Sequence, residues 1–471
     1  MTKISALLTD LYQLTMLEGY YRGGLIESTA VFDLFYRGNP FGGGYAVYAG
    51  LARAVDYLLG LSFSDEDLRY LASLTLFSDG FLAYLKRLRF TGDVYSFREG
   101  SIIFPEEPLL RVEAPLGQAQ LVETALLNII NFQTLIATKA SRVCYAAAGR
   151  PVVEFGLRRA QGENGALSAS RAAFIGGCES SSNVLAGKQY GIPVRGTHAH
   201  SWVMAFDDEY SSFKKYTEVY PDASILLVDT YDSLRSGIPN AIKAARELES
   251  KGHRLVGVRL DSGDPVPLSR EARKMLDGAG LDYVKIVLSN DLDEYRIEEL
   301  LKQGAAVDIF GVGTRLVAGH GESALPGVYK MCELEKNGSP SPRMKLSDES
   351  LKGNLPGKKD VLRYFGGDGS MVCDIICVRD TKESVEGCDA AGNPFPIPRE
   401  CVGESQLGRV LSGGRAVERE DDVTVIQGRF RNNFALLPDR YKKLSGADEY
   451  PVLLCRELYN LKKDMVKELK R

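Results

Sequence analysis

The chain has 471 residues, of which 44% are hydrophobic and 25% are charged, and its formal net charge is −4. These proportions are typical of a globular protein and exclude extensive disorder, while the slightly acidic balance excludes the broad basic surface that nucleic-acid binding requires. At about 150 residues per domain, the length predicts two or three domains.

Cysteine usage and hydropathy indicate the compartment. The eight cysteines never occur as a C-x-x-C pair, so we expect free thiols in a reducing cytosol rather than a zinc site or a disulfide framework. The N-terminus reaches Asp10 too soon for a secretory signal, and the longest uncharged apolar stretch, 124–138, is interrupted by polar residues. The sequence therefore predicts a cytoplasmic protein without a membrane span.

The first 145 residues have the pattern of an α+β domain. In chain order, they predict a helix over 10–21, a strand over 30–36, a glycine-rich turn over 38–44, a helix over 46–59, short antiparallel strands over 91–112 and one or two helices over 116–149.

Short apolar strands alternate with helices in the following part of the chain. Candidate strands lie at Val152, Phe174, Pro193, Ile225, Leu255, Lys285, Val307 and Val328, with helices over 182–190, 234–249, 268–278 and 292–303. The last helix has Asn290 or Asp291 as its predicted N-cap and Gly304 beyond its end. About eight βα units predict an α/β fold with a (β/α) barrel, although an open doubly wound sheet would also place ligands at the carboxyl ends of its strands.

The remaining chain is rich in glycine, proline and charge, with short strands predicted over 371–378 and 423–427. The tail over 451–471 has the pattern of an amphipathic helix with many lysines. We therefore expect an N-terminal α+β domain over 1–145, a barrel core over 146–335 and a C-terminal region over 336–471 that packs on the first two.

Each predicted strand of the middle part ends in a polar cluster, where folds of this kind bind their ligands. Two adjacent arginines, Arg158 and Arg159, follow the apolar run that begins at Val153, and their guanidinium groups are suited to clamping a carboxylate or a phosphate. The other clusters are Asp229-Thr230-Tyr231-Asp232, Arg259-Leu260-Asp261-Ser262-Gly263-Asp264, Ser289-Asn290-Asp291 and Gly311-Val312-Gly313-Thr314.

Two of the four histidines, His198 and His200, stand two residues apart after the strand-like stretch 192–195. If the strand continues that far, both side chains point to the same face. One of them is then a candidate nucleophile or phosphate acceptor, and the alternative is a pair of core histidines without a chemical role.

Six motifs stand out in chain order between residues 8 and 314. They are Leu8-Thr9-Asp10-Leu11-Tyr12-Gln13-Leu14-Thr15-Met16, Glu154-Phe155-Gly156-Leu157-Arg158-Arg159, Ser182-Asn183-Val184-Leu185-Ala186-Gly187, Gly196-Thr197-His198-Ala199-His200, Arg259-Leu260-Asp261-Ser262-Gly263-Asp264 and Phe310-Gly311-Val312-Gly313-Thr314. Together they closely resemble the nicotinate phosphoribosyltransferases.

The resemblance implies a fold, an assembly and a reaction. The expected fold is an irregular (β/α) barrel with an N-terminal domain to which the later chain returns, and the expected assembly is a head-to-tail homodimer with composite active sites. The expected reaction is ATP-coupled and ligase-type: nicotinate and phosphoribosyl pyrophosphate give nicotinate mononucleotide and diphosphate, with Mg2+ as cofactor and ATP as co-substrate, for NAD biosynthesis.

The resemblance also implies which residues bind the base. Phe155 and the Tyr12 of the partner subunit are expected to stack on the two faces of nicotinate. Arg158 and Arg259 resemble arginines that contact the base and phosphate, and Thr197 resembles a residue that contacts nicotinate.

Further implied roles concern the diphosphate and ATP. Asp229 and Asp261 resemble acids that hold ribose hydroxyls or Mg2+, with a helix N-cap as the alternative for Asp229. The expected phosphate-binding residues are Arg37, Ser289, Gly311, Gly313 and Thr314. His200 falls on the histidine that this family phosphorylates with ATP, whereas His198 has no assigned role and is expected to be incidental.

Three alternatives remain open. The nicotinamide-specific relatives have an aspartate where this chain has Asn183, and a carboxylate there would repel the nicotinate anion. A quinolinate-type enzyme would need more basic residues in its pocket for a dicarboxylate. A non-catalytic metabolite-binding protein is the third alternative, against which the intact His200, Arg259 and Asp261 argue.

Overall fold

The computed structural model describes residues 4–336, 338–346, 354–379, 386–417 and 421–470. Two compact units share the chain: one comprises Met1–Leu135 with Ala324–Arg471, and the other comprises Ile136–Ser323. The fold is mixed α/β, with one parallel sheet and further sheets that are antiparallel except for one parallel pair of strands. Within the described ranges, every helix is too short or too polar to cross a lipid bilayer.

The described strands and helices follow each other along the whole chain. The strands are β1 (Thr29–Tyr36), β2 (Ala46–Val47), β3 (Asp93–Ser96), β4 (Ile102–Ile103), β5 (Leu110–Pro115), β6 (Val152–Glu154), β7 (Ser180–Ser181), β8 (Ile225–Leu227), β9 (Gly257–Leu260), β10 (Lys285–Leu288), β11 (Ile309–Val312), β12 (Gly327–Lys336), β13 (Ser339–Pro342), β14 (Lys359–Phe365), β15 (Met371–Val378), β16 (Gly387–Cys388), β17 (Val402–Ser405), β18 (Gly408–Ser412), β19 (Arg415–Ala416) and β20 (Val452–Cys455). The α-helices are α1 (Leu11–Arg22), α2 (Leu51–Leu59), α3 (Asp65–Ser73), α4 (Asp79–Arg87), α5 (Leu116–Leu121), α6 (Glu123–Ala146), α7 (Gly162–Ile175), α8 (Val184–Tyr190), α9 (His200–Met204), α10 (Glu209–Val219), α11 (Ile238–Ser250), α12 (Pro265–Gly278), α13 (Glu294–Lys302), α14 (Thr314–Val317), α15 (Val423–Leu436), α16 (Asp439–Lys442) and α17 (Arg456–Leu469).

Antiparallel pairing dominates the unit that contains both chain ends. Its larger sheet has the order β13-β12-β1-β5-β3-β18-β19, and a second sheet has the order β16-β20-β15-β14-β17. β1 lies between two neighbours and is buried from end to end except at Thr29, which explains its nearly continuous apolar sequence. Its one charged residue, Asp33, pairs with Lys359 Nζ at 2.7 Å, so the buried carboxylate is compensated.

A six-stranded parallel sheet forms the centre of the other unit, with the order β7-β6-β11-β10-β9-β8. Helices α11, α12 and α13 follow β8, β9 and β10, as βα units require. Asp264 caps α12, and Asp293 caps α13 by accepting a hydrogen bond from Arg296 N at 2.8 Å. The predicted N-caps of α13 were therefore wrong: Asn290 and Asp291 lie before it with φ of 85° and 46°.

Three of the predicted strands of this unit differ from the structure. Phe174 lies in α7, because the alanines before it recur at helical spacing and are buried. The strand predicted at Pro193 is reduced to one isolated bridge between Val194 and Ser181. Val328 belongs to β12, in the antiparallel sheet of the first unit.

Element types differ from the predictions at three other places. The predicted helix over 46–59 is β2 followed by α2, separated by Gly50 with φ of 103°. The predicted strand over 423–427 is the start of α15, where Asp422 caps the helix by accepting from Thr424 N at 2.8 Å. The predicted C-terminal helix is preceded by β20, which joins the five-stranded sheet and pairs parallel to β15 and antiparallel to β16.

Candidate active site

Phe155 directly follows β6, and its ring lies against the neighbouring strand β11. A Cβ on Gly311 would be 2.5 Å from a ring carbon, so the ring fills the space that a side chain would occupy. Phe155 N donates to Val312 O at 2.8 Å, which fixes the backbone beneath the ring. A glycine is therefore needed at position 311 to make room for the Phe155 ring. The sequence alone did not indicate this reason for the glycine.

A buried carboxylate supports this aromatic residue. Glu154 is fully buried and accepts hydrogen bonds from Gly156 N, from Ser170 Oγ at 2.9 Å and from Ser181 Oγ at 2.5 Å. Three donors satisfy the carboxylate and fix the chain on both sides of Phe155. Glu154 was not among the predicted site residues. An acidic residue at the end of an apolar strand is the pattern that could have identified it.

Asn183 extends the same network. Its side chain is 2% exposed, and its Oδ1 accepts from Ala186 N at 3.2 Å as the N-cap of α8. Its Nδ2 donates to Ser170 Oγ at 3.1 Å, so both polar groups are satisfied within the protein. Asn183 is thus connected through Ser170 to Glu154, the residue before Phe155, and its predicted role in selecting nicotinate stays a prediction.

Arg259, from β9, is the partly buried cation of the site. Its Nη1 donates to Thr197 Oγ1 at 2.6 Å, and its Nε is buried without a hydrogen-bond partner in the described part of the chain. Burial lowers the pKa of the Arg259 guanidinium, and the nearby charge of Arg158 lowers it further, against the opposing effect of two carboxylates. Arg158 itself is exposed after β6. Two neighbouring cations with spare N–H groups are suited to an anion.

The two carboxylates are Asp229 and Asp261, at the carboxyl ends of β8 and β9. Asp229 Oδ2 accepts from Asp261 N at 3.1 Å and from Ser262 Oγ at 2.6 Å, and Ser289 Oγ donates to Asp261 Oδ1. Asp229 Oδ1 is buried and has no hydrogen-bond partner among the described residues. The N-cap alternative for Asp229 is wrong, since Asp232 caps the following helical turn.

His200 is the first residue of α9 rather than part of a strand. Its Nδ1 is 3.2 Å from Thr230 Oγ1, and its Nε2 is 4.0 Å from Asp261 Oδ2. The side chain is 42% exposed, so a ligand can reach it. The imidazole is thus held through one nitrogen and presents the other beside the carboxylates.

His198 has a different environment from His200. It is 7% exposed, its Nε2 accepts from Leu227 N at 3.1 Å, and its ring packs edge-on against Tyr216 with 4.7 Å between centroids. Burial lowers the pKa of His198 to about 4, and the nearby charge of Arg259 adds to this, so the imidazole is neutral at pH 7. The two imidazoles do not share one face of a strand, because the segment is a loop that leads into α9. These contacts make His198 part of the protein interior, and the expectation that it is incidental to the reaction stays a prediction.

The loop after β11 leads through Gly313 to Thr314, which is exposed at the start of α14. Arg315, next in the chain, pairs with Asp293 Oδ2 at 2.6 Å, which ties this loop to the one after β10. Ser289, at the start of that second loop, is buried. Of the predicted phosphate-binding residues of this unit, Ser289, Gly313 and Thr314 therefore lie on adjacent loops that are tied together, whereas Gly311 lies within β11.

Tyr12 and Arg37 belong to the other compact unit. Tyr12 lies on α1 and is 49% exposed, next to the exposed Leu11 and close in sequence to the exposed Leu8. Arg37 follows β1, is exposed, and its backbone N donates to Pro326 O at 3.2 Å. Both side chains are accessible from outside this unit, and their predicted roles stay predictions.

The parallel sheet thus carries arginines, carboxylates, hydroxyl groups, an aromatic ring and an oriented histidine at the carboxyl ends of its strands. This combination defines a class of protein, an α/β group-transfer enzyme that takes anionic, phosphorylated substrates.

Comparison with known proteins identifies the family within that class. The model of the nicotinate phosphoribosyltransferase N-terminal domain matches residues 7–131, the model of the nicotinate phosphoribosyltransferase family matches residues 151–365, and that of the C-terminal domain matches residues 358–462. The nicotinate phosphoribosyltransferase of Bacillus subtilis is 42% identical over 468 residues, which cover 98% of this chain and 95% of the relative. A nicotinate phosphoribosyltransferase of Mycobacterium tuberculosis is 46% identical over 452 residues, which cover 95% and 91%.

A solved structure agrees with these relatives. The crystal structure of human nicotinic acid phosphoribosyltransferase has a TM-score of 0.85 at 32% identity and covers 98% of this chain and 100% of its own. The chain belongs to the nicotinate phosphoribosyltransferase family. It is an enzyme with nicotinate phosphoribosyltransferase activity, which serves NAD biosynthesis.

Proposed function

We propose that this enzyme couples the synthesis of nicotinate mononucleotide to ATP hydrolysis through a phosphohistidine at His200. The observation that supports this most is the orientation of His200, with Nδ1 at 3.2 Å from Thr230 Oγ1 and Nε2 beside Asp261. If Nδ1 carries the proton, the Nε2 lone pair can attack the γ-phosphorus of ATP. The new N–P bond then replaces the P–O bond to ADP, which leaves with that electron pair.

The nicotinate site is proposed around Phe155. The pyridine ring would stack on Phe155, and its carboxylate would accept hydrogen bonds from Arg259 and Arg158, near Thr197. Support comes from the buried Arg259 Nε that has no hydrogen-bond partner among the described residues, since an orphaned cationic donor is costly without an anion.

Asp229 and Asp261 fit a divalent cation that binds together with the diphosphate. Asp229 Oδ1 is buried and has no hydrogen-bond partner in the described ranges, which leaves it available to a cation or a ribose hydroxyl. Mg2+ is usually held by one or two carboxylates together with substrate phosphates. When bound, Mg2+ supplies positive charge that stabilises the leaving diphosphate.

Charge placement dominates the proposed transfer step. The bond from ribose C1 to the diphosphate oxygen breaks as the pyridine nitrogen bonds to C1, and the diphosphate keeps the electron pair. Asp229 and Asp261 would hold the ribose hydroxyls next to the developing positive charge. The proposed phosphate-binding residues are Arg37, Ser289, Gly313 and Thr314, which would orient the diphosphate. Gly311, also expected to bind phosphate, is proposed instead to make room for the Phe155 ring.

A head-to-tail homodimer and an irregular closed barrel complete the proposal. The exposed ring of Tyr12 supports a site shared between two chains, because an exposed aromatic ring is available to a second copy. Support for closure comes from the chain between the two edge strands: Arg195 N donates to Ser181 O of β7 at 3.0 Å, and His198 accepts from Leu227 of β8 at 3.1 Å.

Product identification and phosphate labelling test this proposal. The protein is incubated with nicotinate or nicotinamide, phosphoribosyl pyrophosphate and Mg2+, with and without ATP, and the mononucleotide is identified.

γ-labelled ATP should leave an acid-labile, base-stable label on His200. His200→Ala should lose both the label and the ATPase activity while keeping a slow ATP-independent transferase activity. His253→Ala is the matched control, since that imidazole is partly exposed and pairs with Asp222 at 2.8 Å. ATP-stimulated turnover in His200→Ala would contradict the phosphohistidine.

A further inference from the structure

β8 is an edge strand of the parallel sheet, with β9 as its neighbour on one side. In parallel sheets successive residues direct their N–H groups to opposite sides of the strand. Val228 N donates to Arg259 O of β9 at 3.2 Å, so the N–H of the preceding residue, Leu227, points to the open edge. A buried backbone N–H at such an edge needs an acceptor from outside the ladder.

The imidazole of His198 supplies that acceptor. Its Nε2 lies 3.1 Å from Leu227 N, where a neighbouring strand would place a carbonyl oxygen. The ring is 7% exposed and packs edge-on against Tyr216, so water does not replace it. An imidazole nitrogen accepts only when it carries no proton, which requires the neutral tautomer with its proton on Nδ1.

His198 also stands between two residues of the site. Thr197 Oγ1 accepts from Arg259 Nη1 at 2.6 Å, and His200 Nδ1 is 3.2 Å from Thr230 Oγ1. Thr230 comes three residues after Leu227 in the chain. The hydrogen bond between Leu227 and His198 therefore ties the backbone next to His200 to the segment 227–230. Thr230 of the same segment contacts the His200 ring.

We propose that His198 is a positioning residue for phosphoryl transfer: its neutral imidazole closes the β8 edge and thereby holds His200 in the orientation that accepts phosphate. The proposal rests on the proposed phosphohistidine. It assigns no contact between His198 and any substrate, because the imidazole is buried against the protein.

Two substitutions separate the hydrogen bond from the shape of the ring. His198→Phe keeps a planar ring but leaves the buried N–H of Leu227 without an acceptor, and His198→Gln offers an amide oxygen at a similar reach. We expect His198→Phe to lower the rate of His200 labelling by γ-labelled ATP about tenfold or more, and by a larger factor than it lowers ATP-independent transferase. His198→Gln should restore labelling to within about threefold, and the control His253→Gln should match the wild type.

Nitrogen NMR of the histidine-labelled wild-type enzyme gives a readout independent of phosphorylation. We expect one imidazole to keep an unprotonated Nε2 and a protonated Nδ1 from pH 8 to pH 5, and its signals should be lost in His198→Gln.

If the wild-type enzyme takes no label, the proposed phosphohistidine is wrong, while the spectrum still tests the role of His198. Labelling of His198→Phe at the wild-type rate, or a proton on Nε2 of His198, would overturn the inference. If His198→Phe does not fold, the spectrum and the labelling of His198→Gln decide it, with loss of labelling in a folded His198→Gln counting against it.

Discussion

Replacing Gly311 by alanine tests whether this glycine serves the aromatic ring or the phosphate. The new Cβ would lie 2.5 and 2.6 Å from two ring carbons of Phe155, about 1 Å closer than an ordinary carbon–carbon contact. The backbone of Phe155 is tied to Val312 O at 2.8 Å, so the ring must move rather than the chain. Gly311→Ala therefore displaces the ring from the proposed nicotinate site.

The expected magnitude of the Gly311→Ala effect follows from two terms. Overpacking of this kind costs about 1–3 kcal/mol of stability, and a lost aromatic stack is worth roughly 0.5–1.5 kcal/mol, or about a 2- to 12-fold rise in KM for nicotinate. Steady-state kinetics with each substrate varied in turn should show this rise with little change in KM for phosphoribosyl pyrophosphate. The control Gly278→Ala, where a Cβ meets nothing within 4 Å, should leave kinetics unchanged. A rise confined to KM for phosphoribosyl pyrophosphate would refute the role of the ring in favour of phosphate binding.

Three further predictions concern the shared site, base selection and the cation. Tyr12→Ala and Phe155→Ala should each be nearly inactive, and their heterodimers should regain activity because one of two sites then has both rings; absence of rescue in verified heterodimers would remove the role of Tyr12 in the partner's site. Asn183→Asp replaces the amide that donates to Ser170 by a buried carboxylate, which would repel the nicotinate anion. The value of kcat/KM should therefore fall more for nicotinate than for nicotinamide, and equal losses would limit Asn183 to supporting the fold. Asp229→Asn should raise the Mg2+ concentration for half-maximal activity about tenfold, and an unchanged Mg2+ requirement would show that Asp229 binds only ribose.

The location of the site was predictable because parallel strands bring their carboxyl ends to one edge of a sheet. Asp229 and Asp261 follow two consecutive strands, β8 and β9, and Asp261 N donates to Asp229 at 3.1 Å. A polar cluster after each apolar run was enough to predict, without knowledge of the strand order, that such residues gather at the carboxyl ends of the strands. The same reasoning placed Arg259 in the cluster that contains Asp261, whereas the roles of these residues were predicted from the resemblance to the family.

The contacts that hold the site in place could not be predicted in this way. The bond from Leu227 to His198 requires β8 to be an edge strand, and the strand order is a property of the whole sheet rather than of any local pattern. The packing of Phe155 on Gly311 likewise depends on β6 and β11 being neighbours although they are distant in sequence. Helix α7 was misread at Phe174 because a short apolar run fits a buried helix as well as a strand.

The stability of the enzyme should depend on pH through His198. Folding lowers the pKa of this imidazole from 6.5 to about 4, so the unfolded chain binds more protons between these values and stability rises with pH there. The contribution is fully present above pH 6.5 and is lost as the pH falls towards 4, by about 2 kcal/mol in the free energy of unfolding between pH 7 and pH 4.5. Arg259 and His200 both face the ring and oppose its protonation, so they lower the pKa of His198 in the same direction as burial does. Chemical unfolding at the two pH values should show this additional loss in the wild type and in His253→Gln but not in His198→Gln. Parallel pH profiles for the wild type and His198→Gln would mean that the imidazole is not held neutral by the fold.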